Sequence, residues 1–258
     1  MRVITLNLNG IRSAARKGFF EWMISQNPDF VCLQETRAHL EQNHELVLHP
    51  EGYKYYFYDA EKKGYSGTGI YSKHEPVQVH KGLDFHCTKN EGRYLQLDFK
   101  NLSIASLYLP SGTSGEERQK MKYEFLECYL QDLKKIANSD RNFIICGDFN
   151  IAHKQIDLKN WRGNQNHSGF LPEERAWMDK IFNDIGLVDA FRTINQESDQ
   201  YTWWSNFGKA WEKNVGWRID YQIVTKSLLH KIKKVSIYKE QRFSDHAPLI
   251  IDYDLKIE

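Results

Sequence analysis

Asn142-Phe143-Ile144-Ile145-Cys146-Gly147-Asp148-Phe149-Asn150 is the most informative stretch of the chain. The apolar run from Phe143 to Cys146 has the length of a buried strand, and a glycine then leads straight into polar residues. Alternation along an extended segment points Asp148 and Asn150 the same way, an anion beside a neutral amide donor. A packed strand is a rigid arm, and a carboxylate at its tip can be held against a metal ion or a phosphate. A turn closed by an Asx hydrogen bond accounts for the same residues equally well.

The same pattern recurs outward from this stretch. Glu35 follows Phe30-Val31-Cys32-Leu33-Gln34, Asn7 and Asn9 close the first apolar alternation, and Asp245-His246 precede Pro248-Leu249-Ile250-Ile251. Strand patterns cover 2–8, 29–34, 54–58, 69–72, 93–98, 103–109, 142–147, 217–224, 234–238 and 248–253. Helices are expected over 17–25, stopped by Asn27-Pro28, over 172–183, opened by Pro172, and over 114–137. In the last, Ser114 and Glu117 have capping-box spacing, and Met121, Phe125, Tyr129 and Leu133 mark one face. The total is a strand-rich α/β protein. Without a repeat, a low-complexity tract or a linker, residues 1–258 read as one domain.

Composition narrows the class. No apolar run approaches the roughly 18 to 20 residues of a membrane span, and the amino terminus reads as a strand rather than a secretory signal, so a cytoplasmic protein is expected. Cys32, Cys87, Cys128 and Cys146 are spread singly, which favours reduced core thiols over disulfides or a zinc site. Thirty-five basic against thirty-four acidic residues give a net charge of +1, so any polyanion must be met by a local positive surface.

Singly, each polar tip has a plain explanation: Glu35 a solvated charge, Ser244-Asp245-His246 a cap or loop histidine, Tyr108 a buried strand tyrosine. Together they supply hard oxygen ligands, an amide donor, a base and a histidine. That set suits phosphodiester hydrolysis with Mg²⁺ or Mn²⁺, because the transition state gathers negative charge that carboxylates alone would repel.

The segments Leu6-Asn7-Leu8-Asn9-Gly10-Ile11-Arg12, Leu33-Gln34-Glu35-Thr36, Gly64-Tyr65-Ser66-Gly67, Leu107-Tyr108-Leu109-Pro110, Gly147-Asp148-Phe149-Asn150-Ile151-Ala152-His153, Gly216-Trp217-Arg218-Ile219-Asp220-Tyr221 and Ser244-Asp245-His246 follow one another in an order and spacing that resembles the exonuclease III family of DNA-repair nucleases, within the deoxyribonuclease I-like superfamily. The resemblance spans nearly the whole chain. It implies a four-layered α/β sandwich, two mixed β-sheets packed face to face and flanked by helices, forming a single endonuclease/exonuclease/phosphatase domain.

It also implies roles. Glu35 resembles the principal metal ligand, with Asp245 and Asn7 near the same ion and Asp148, Asn150 and His246 among the donors around it. Asp148 would orient and deprotonate the attacking water, Asn150 would steady it or bind a phosphate oxygen, Asp220 would hold His246 in its tautomer, and Tyr108 would donate to the phosphate or the leaving oxygen. Arg12, Tyr65, Arg93 and Asn164 are implied DNA contacts. Within 151–175, a stretch that separates DNA enzymes from superfamily phosphatases, Lys154, Lys159 and Arg162 would add phosphate-directed charge. Trp203, Trp217 and Ile219 stand where the family builds a pocket for a flipped or terminal sugar, and core packing is the alternative for both tryptophans. His167 departs from the asparagine, serine or glycine common in relatives that cut at internal abasic sites; a bulkier imidazole would narrow the pocket or fill the gap left by an extruded sugar, or else be a neutral swap. Ser111 likewise replaces a common asparagine. The expected protein is a monomeric Mg²⁺-dependent enzyme of base-excision repair. It would act on double-stranded DNA with a damaged, abasic or recessed 3′ site, as a 3′ to 5′ exonuclease and 3′-end cleaner with abasic-site cleavage reduced by His167. A full AP endonuclease, a superfamily phosphatase and a silent DNA-binding module are the alternatives.

Overall fold

Two sheets are built from the apolar alternations, and the computed structural model, which describes residues 1–40 and 45–257, shows how they stack. In chain order the strands are β1 (Arg2–Asn7), β2 (Phe30–Gln34), β3 (Lys54–Tyr58), β4 (Thr68–Ser72), β5 (Gln78–Lys81), β6 (Tyr94–Asp98), β7 (Leu102–Tyr108), β8 (Asn142–Asp148), β9 (Val188–Asp189), β10 (Trp203–Trp204), β11 (Gly216–Trp217), β12 (Asp220–Val224), β13 (Ile232–Ile237) and β14 (Leu249–Tyr253). The α-helices are α1 (Ile11–Arg16), α2 (Phe19–Gln26), α3 (Glu116–Ala137), α4 (Trp161–Asn164), α5 (Pro172–Asp179) and α6 (Ala190–Ile194). One six-stranded sheet runs β13-β14-β1-β2-β4-β3 and the other β5-β6-β7-β8-β12-β9. Each is mixed: β1 pairs β2 in parallel through the α1–α2 crossover, and β7 pairs β8 in parallel through α3.

The burial of both faces explains the layering. Val3, Phe30, Cys32 and Ile70 of the first sheet share one cluster with Leu95, Leu97, Ile104, Ile144 and Cys146 of the second, so the sheets pack face to face. The opposite face of the first sheet, with Ile4, Leu6, Val31 and Leu33, packs on Phe19, Phe20, Trp22 and Met23 of α2. That of the second, with Ala105, Leu107 and Ile145, packs on Phe125, Tyr129 and Leu133 of α3 and Trp177 of α5. Helix, sheet, sheet and helix give the four-layered sandwich that the resemblance implies.

Several local expectations change. The Ser114 capping box does not form: Gly115 is the N-cap of α3, and no side chain caps it. The strand expected over 217–224 breaks between β11 and β12 because backbone donors there are spent elsewhere: Arg218 N–H donates to the Asp157 carbonyl, and Ile219 and Asp220 N–H to Thr202 Oγ1. The 172–183 helix ends as α5 and continues as a π-turn over Lys180–Ile185. Only two of the four free thiols are core: Cys32 and Cys146 are buried, Cys87 is half-buried and Cys128 is exposed.

Candidate active site

Register brings the strand tips together. Asp148 pairs with Tyr108 across β7–β8 and with Asp220 across β8–β12, while Asn7 and Gln34 end the parallel β1–β2 pair, just before Glu35. Gly147 is required for this approach: a Cβ there would lie 2.2 Å from the Leu107 carbonyl oxygen. Two sheets stacked face to face therefore present their tips to one cleft of about 390 Å³, whose lining includes Glu35, Tyr108, Asp148, Asn150, Asp245 and His246.

Asp148 is the hub. Its Oδ1 accepts from Asn150 N–H at 2.8 Å, and its Oδ2 accepts from Asn7 Nδ2 at 2.8 Å and lies 3.9 Å from His246 Nε2. The other ring nitrogen, Nδ1, is 2.9 Å from Asp220 Oδ2. Asp220 is fully buried and its Oδ1 has no hydrogen-bond partner, while His246, which it holds, lines the cleft. Burial works against a charge on His246, yet Asp220, Asp148 and Asp245 overcome it and lift its pKa to about 10. Burial pushes Asp148 up to about 7; His246 opposes the rise, while Asp220 and Glu35 add to it.

Glu35 approaches from the other sheet. Asn7 Nδ2 bridges Glu35 Oε1 at 2.7 Å and Asp148, and Arg37 donates to Glu35 Oε2 through Nε at 2.8 Å and through Nη2. Asp245 accepts from Asn9 Nδ2 at 2.9 Å and Trp203 Nε1 at 3.2 Å. Burial tends to raise Asp245, but the His246 charge and the bonds from Asn9, Trp203 and Ser244 hold it below the usual carboxylate range. The Tyr108 phenol is raised well above its ordinary value by burial and by the Glu35 charge, partly offset by Arg93.

The donor chemistry fits a hard divalent cation. Glu35, Asp148, Asp220 and Asp245 meet here with His246 and Arg37 as the nearby cationic side chains, an excess of negative charge in a low-dielectric cleft. Asp148, Asp220 and His246 offer ligand atoms within 4.8 Å of one another, but both Nδ1 and Asp220 Oδ2 are committed to each other, so Glu35, Asp148 and Asp245 are the oxygen donors open to the cleft. Asn7 faces the carboxylates with its nitrogen, because its Oδ1 accepts from Asn9 N–H at 2.9 Å, and so bridges Glu35 and Asp148. The charge that the surrounding carboxylates favour on His246 suits it to donate to an anion from Nε2.

Trp203 and Trp217 form one wall, edge to face with ring centroids 6.4 Å apart, and Ile219 lies beneath. Both tryptophans also pack on Leu158, Phe170 and Ile219, so they line the cleft and a satellite core together. Asn164 and exposed His167 also line the cleft, with Ser111 and Thr113.

Residues 4–246 match the Endonuclease/Exonuclease/phosphatase family. The chain belongs to this family. An exodeoxyribonuclease of Bacillus subtilis (strain 168) is 38% identical over 251 residues, covering 96% of this chain and 98% of its own length. A DNA-(apurinic or apyrimidinic site) endonuclease of Dictyostelium discoideum is 36% identical over 258 residues, covering 99% of this chain and 71% of its own. The solved structure of an AP endonuclease from Archaeoglobus fulgidus superposes with a TM-score of 0.90 at 29% identity, covering 99% of this chain and all of that one. The protein is a nuclease of the exodeoxyribonuclease and AP endonuclease type.

In this family member three expected DNA contacts lie outside the cleft. Arg12 pairs with Glu45 on the surface. Arg93 is buried, with donors on Glu91, the Tyr108 carbonyl and the Tyr65 hydroxyl, and its guanidinium lies 4.7 Å from the Tyr108 ring centroid. It braces Tyr108 from behind, and Tyr65 belongs to the same cluster. Lys154 and Lys159 pair with Asp179 and Asp199. Sequence reasoning missed Arg37, although its position two residues after Glu35 was a signal. It also missed buried Lys122, whose Nζ donates to the Asn150 carbonyl at 2.9 Å and to Glu174 at 2.5 Å, since a lysine on a polar helix carries no sign of burial.

Proposed function

We propose that this chain is a Mg²⁺- or Mn²⁺-dependent DNA phosphodiesterase of base-excision repair, acting as a single-domain monomer in the cytoplasm. In this reading it trims and cleans 3′ termini, and cleaves 5′ to abasic sites at a rate that His167 reduces. The observation that carries the reading is His246, hydrogen-bonded to Asp220 through Nδ1 and 3.9 Å from Asp148 through Nε2, lining one cleft with Asp148 and Glu35.

Asp148 takes the proton of the attacking water, whose oxygen bonds to phosphorus as the bond to the leaving 3′ oxygen breaks. Asn150, whose Nδ2 donates to the Leu109 carbonyl at 2.9 Å and lies 3.4 Å from Asp148 Oδ2, would steady that water. The His246 imidazolium, kept charged by Asp220, donates to a non-bridging phosphate oxygen. Tyr108 donates its hydroxyl hydrogen bond to the phosphate or to the departing oxygen. Glu35, Asp148 and Asp245 would hold the divalent cation, which when bound supplies positive charge against the charge developing on the phosphate. Trp203, Trp217 and Ile219 form a pocket of the right chemistry for a terminal or extruded sugar.

The test is a substrate panel on one purified sample: a recessed 3′ end, a 3′-phosphate, a mismatched terminus and an internal abasic analogue, each with EDTA and with Mg²⁺. Cleavage that needs the metal and favours 3′ termini is expected; hydrolysis of a phosphoinositide but not of duplex DNA would overturn the proposal. The full AP endonuclease is the second reading, favoured by the likeness to named AP endonucleases. His167→Ser and His167→Gly separate the two. If neither raises abasic-site cleavage relative to exonuclease activity, the restricting role of His167 is wrong.

A further inference from the structure

Arg37 occupies the Glu35 oxygen that a divalent cation would need. The backbone is built to place it there. Glu35 and Arg37 both adopt left-handed φ, 48° and 50°, a conformation non-glycine residues rarely hold unless the surroundings impose it. Thr36 N–H donates to the Gly67 carbonyl and Arg37 N–H to the Ser66 carbonyl. Gly67 cannot be replaced in this contact: its φ is +90°, and a Cβ would lie 2.2 Å from Thr36 Oγ1. The Ser66–Gly67 turn thus aims Arg37 back over Glu35, and its Nε and Nη2 fork onto Oε2 while Asn7 occupies Oε1. Both oxygens of the carboxylate are engaged. The Arg37 side chain is nonetheless 43% exposed and lines the cleft beside Tyr108, so it has room to swing away.

We infer that Arg37 is a built-in counter-ion that competes with the divalent cation for Glu35 and, once displaced, binds the substrate phosphate. A guanidinium and a divalent cation cannot both use Oε2 at full strength, so binding the one weakens the other reciprocally. The released guanidinium keeps five donors in a planar fork matched to phosphate oxygens. Arg37 therefore lowers cation affinity in the free enzyme and raises phosphate affinity in the loaded one. A purely structural arginine would, on removal, weaken both. The inference deepens the proposed metal site and rests on it.

The experiment is Mn²⁺ binding to the full chain, read by the electron paramagnetic resonance signal of free Mn²⁺, for the parent, Arg37→Ala, Arg37→Lys and Glu35→Gln, beside KM and kcat on an end-labelled duplex. Arg37→Ala should bind Mn²⁺ about ten-fold more tightly and show a raised KM with a smaller change in kcat. Arg37→Lys, a point charge without the fork, should fall between. Glu35→Gln should lose most of the binding. Unchanged or weaker Mn²⁺ binding by Arg37→Ala, with Glu35→Gln defective, overturns the counter-ion role and leaves the metal site standing. Undiminished binding by Glu35→Gln overturns the metal site itself, and the inference with it.

Discussion

Two buried clusters of charge lie close together in this molecule and are opposites. In one, Asp157 and Asp189 face Arg218 and Arg192: Arg218 Nε is 2.8 Å from Asp157, its Nη2 is 2.7 Å from Asp189, and Arg192 Nη2 is 2.8 Å from Asp157. Two anions meet two cations, and burial is tolerated because the charges are matched and bonded. In the other, Glu35, Asp148, Asp220 and Asp245 converge on His246 and on the half-exposed Arg37 guanidinium. Asp157 is consequently held down at about 2 by Arg218 and Arg192 against its burial, whereas Asp148, equally buried, is pushed up to about 7. A matched cluster stabilises the fold. A mismatched one waits for charge from outside, and that is a mark of function.

The sharpest way to break this contrast is Asp148→Asn. Turnover should fall by about a thousand-fold or more, the scale of losing a general base, while the melting temperature holds or rises because a repelled carboxylate is gone. Substantial activity with Mg²⁺ would remove Asp148 from its role. The converse change, Asp157→Ala, leaves Arg218 and Arg192 buried without their shared partner and should cost about 3 to 5 kcal/mol in a urea titration, with no rescue by Mg²⁺. A loss below about 1 kcal/mol would show that the network does not support the fold.

Acid and base titrations should separate the clusters by sign. Asp157, lowered in the fold, contributes stability that is present above the unfolded value near 3.8 and is lost as pH falls through about 2. Asp148, raised in the fold, holds more protons folded than unfolded between 3.8 and about 7, so metal-free stability should decline across that window as pH rises. His246, also raised, contributes stability that is full below 6.5 and lost as pH climbs through about 10. Mg²⁺ should therefore raise the melting temperature more at pH 8 than at pH 5; an equal shift at both would sink the account. The smallest effect is expected of Arg192→Lys at the edge of the matched cluster, about 1 kcal/mol from a lost fork, with activity unchanged.

Much of this was readable beforehand. The strand over 142–147 and the tip at Asp148 followed from a short apolar run ending in polar residues, because strand burial is a local pattern. Helix α1 escaped because it is one short run packed through Ile11 and Ala14. The break at Arg218 escaped because the partners that claim its backbone and side chain, Asp157 and Asp189, are distant in sequence. For the same reason Arg93 read as a DNA contact and became a brace behind Tyr108.

Alternation and turn residues were enough for a strand-rich α/β chain and the inventory of chemical groups, and the order of motifs implied the layers of the fold through the family resemblance it carries. They encode which face is buried and what each tip carries. Charge matching was settled by the folded chain alone: Asp157 meets Arg218 from sixty-one residues away, and the β8–β12 register sets Asp148 beside Asp220. Electrostatic balance is a property of neighbours in space, which local patterns of alternation do not carry.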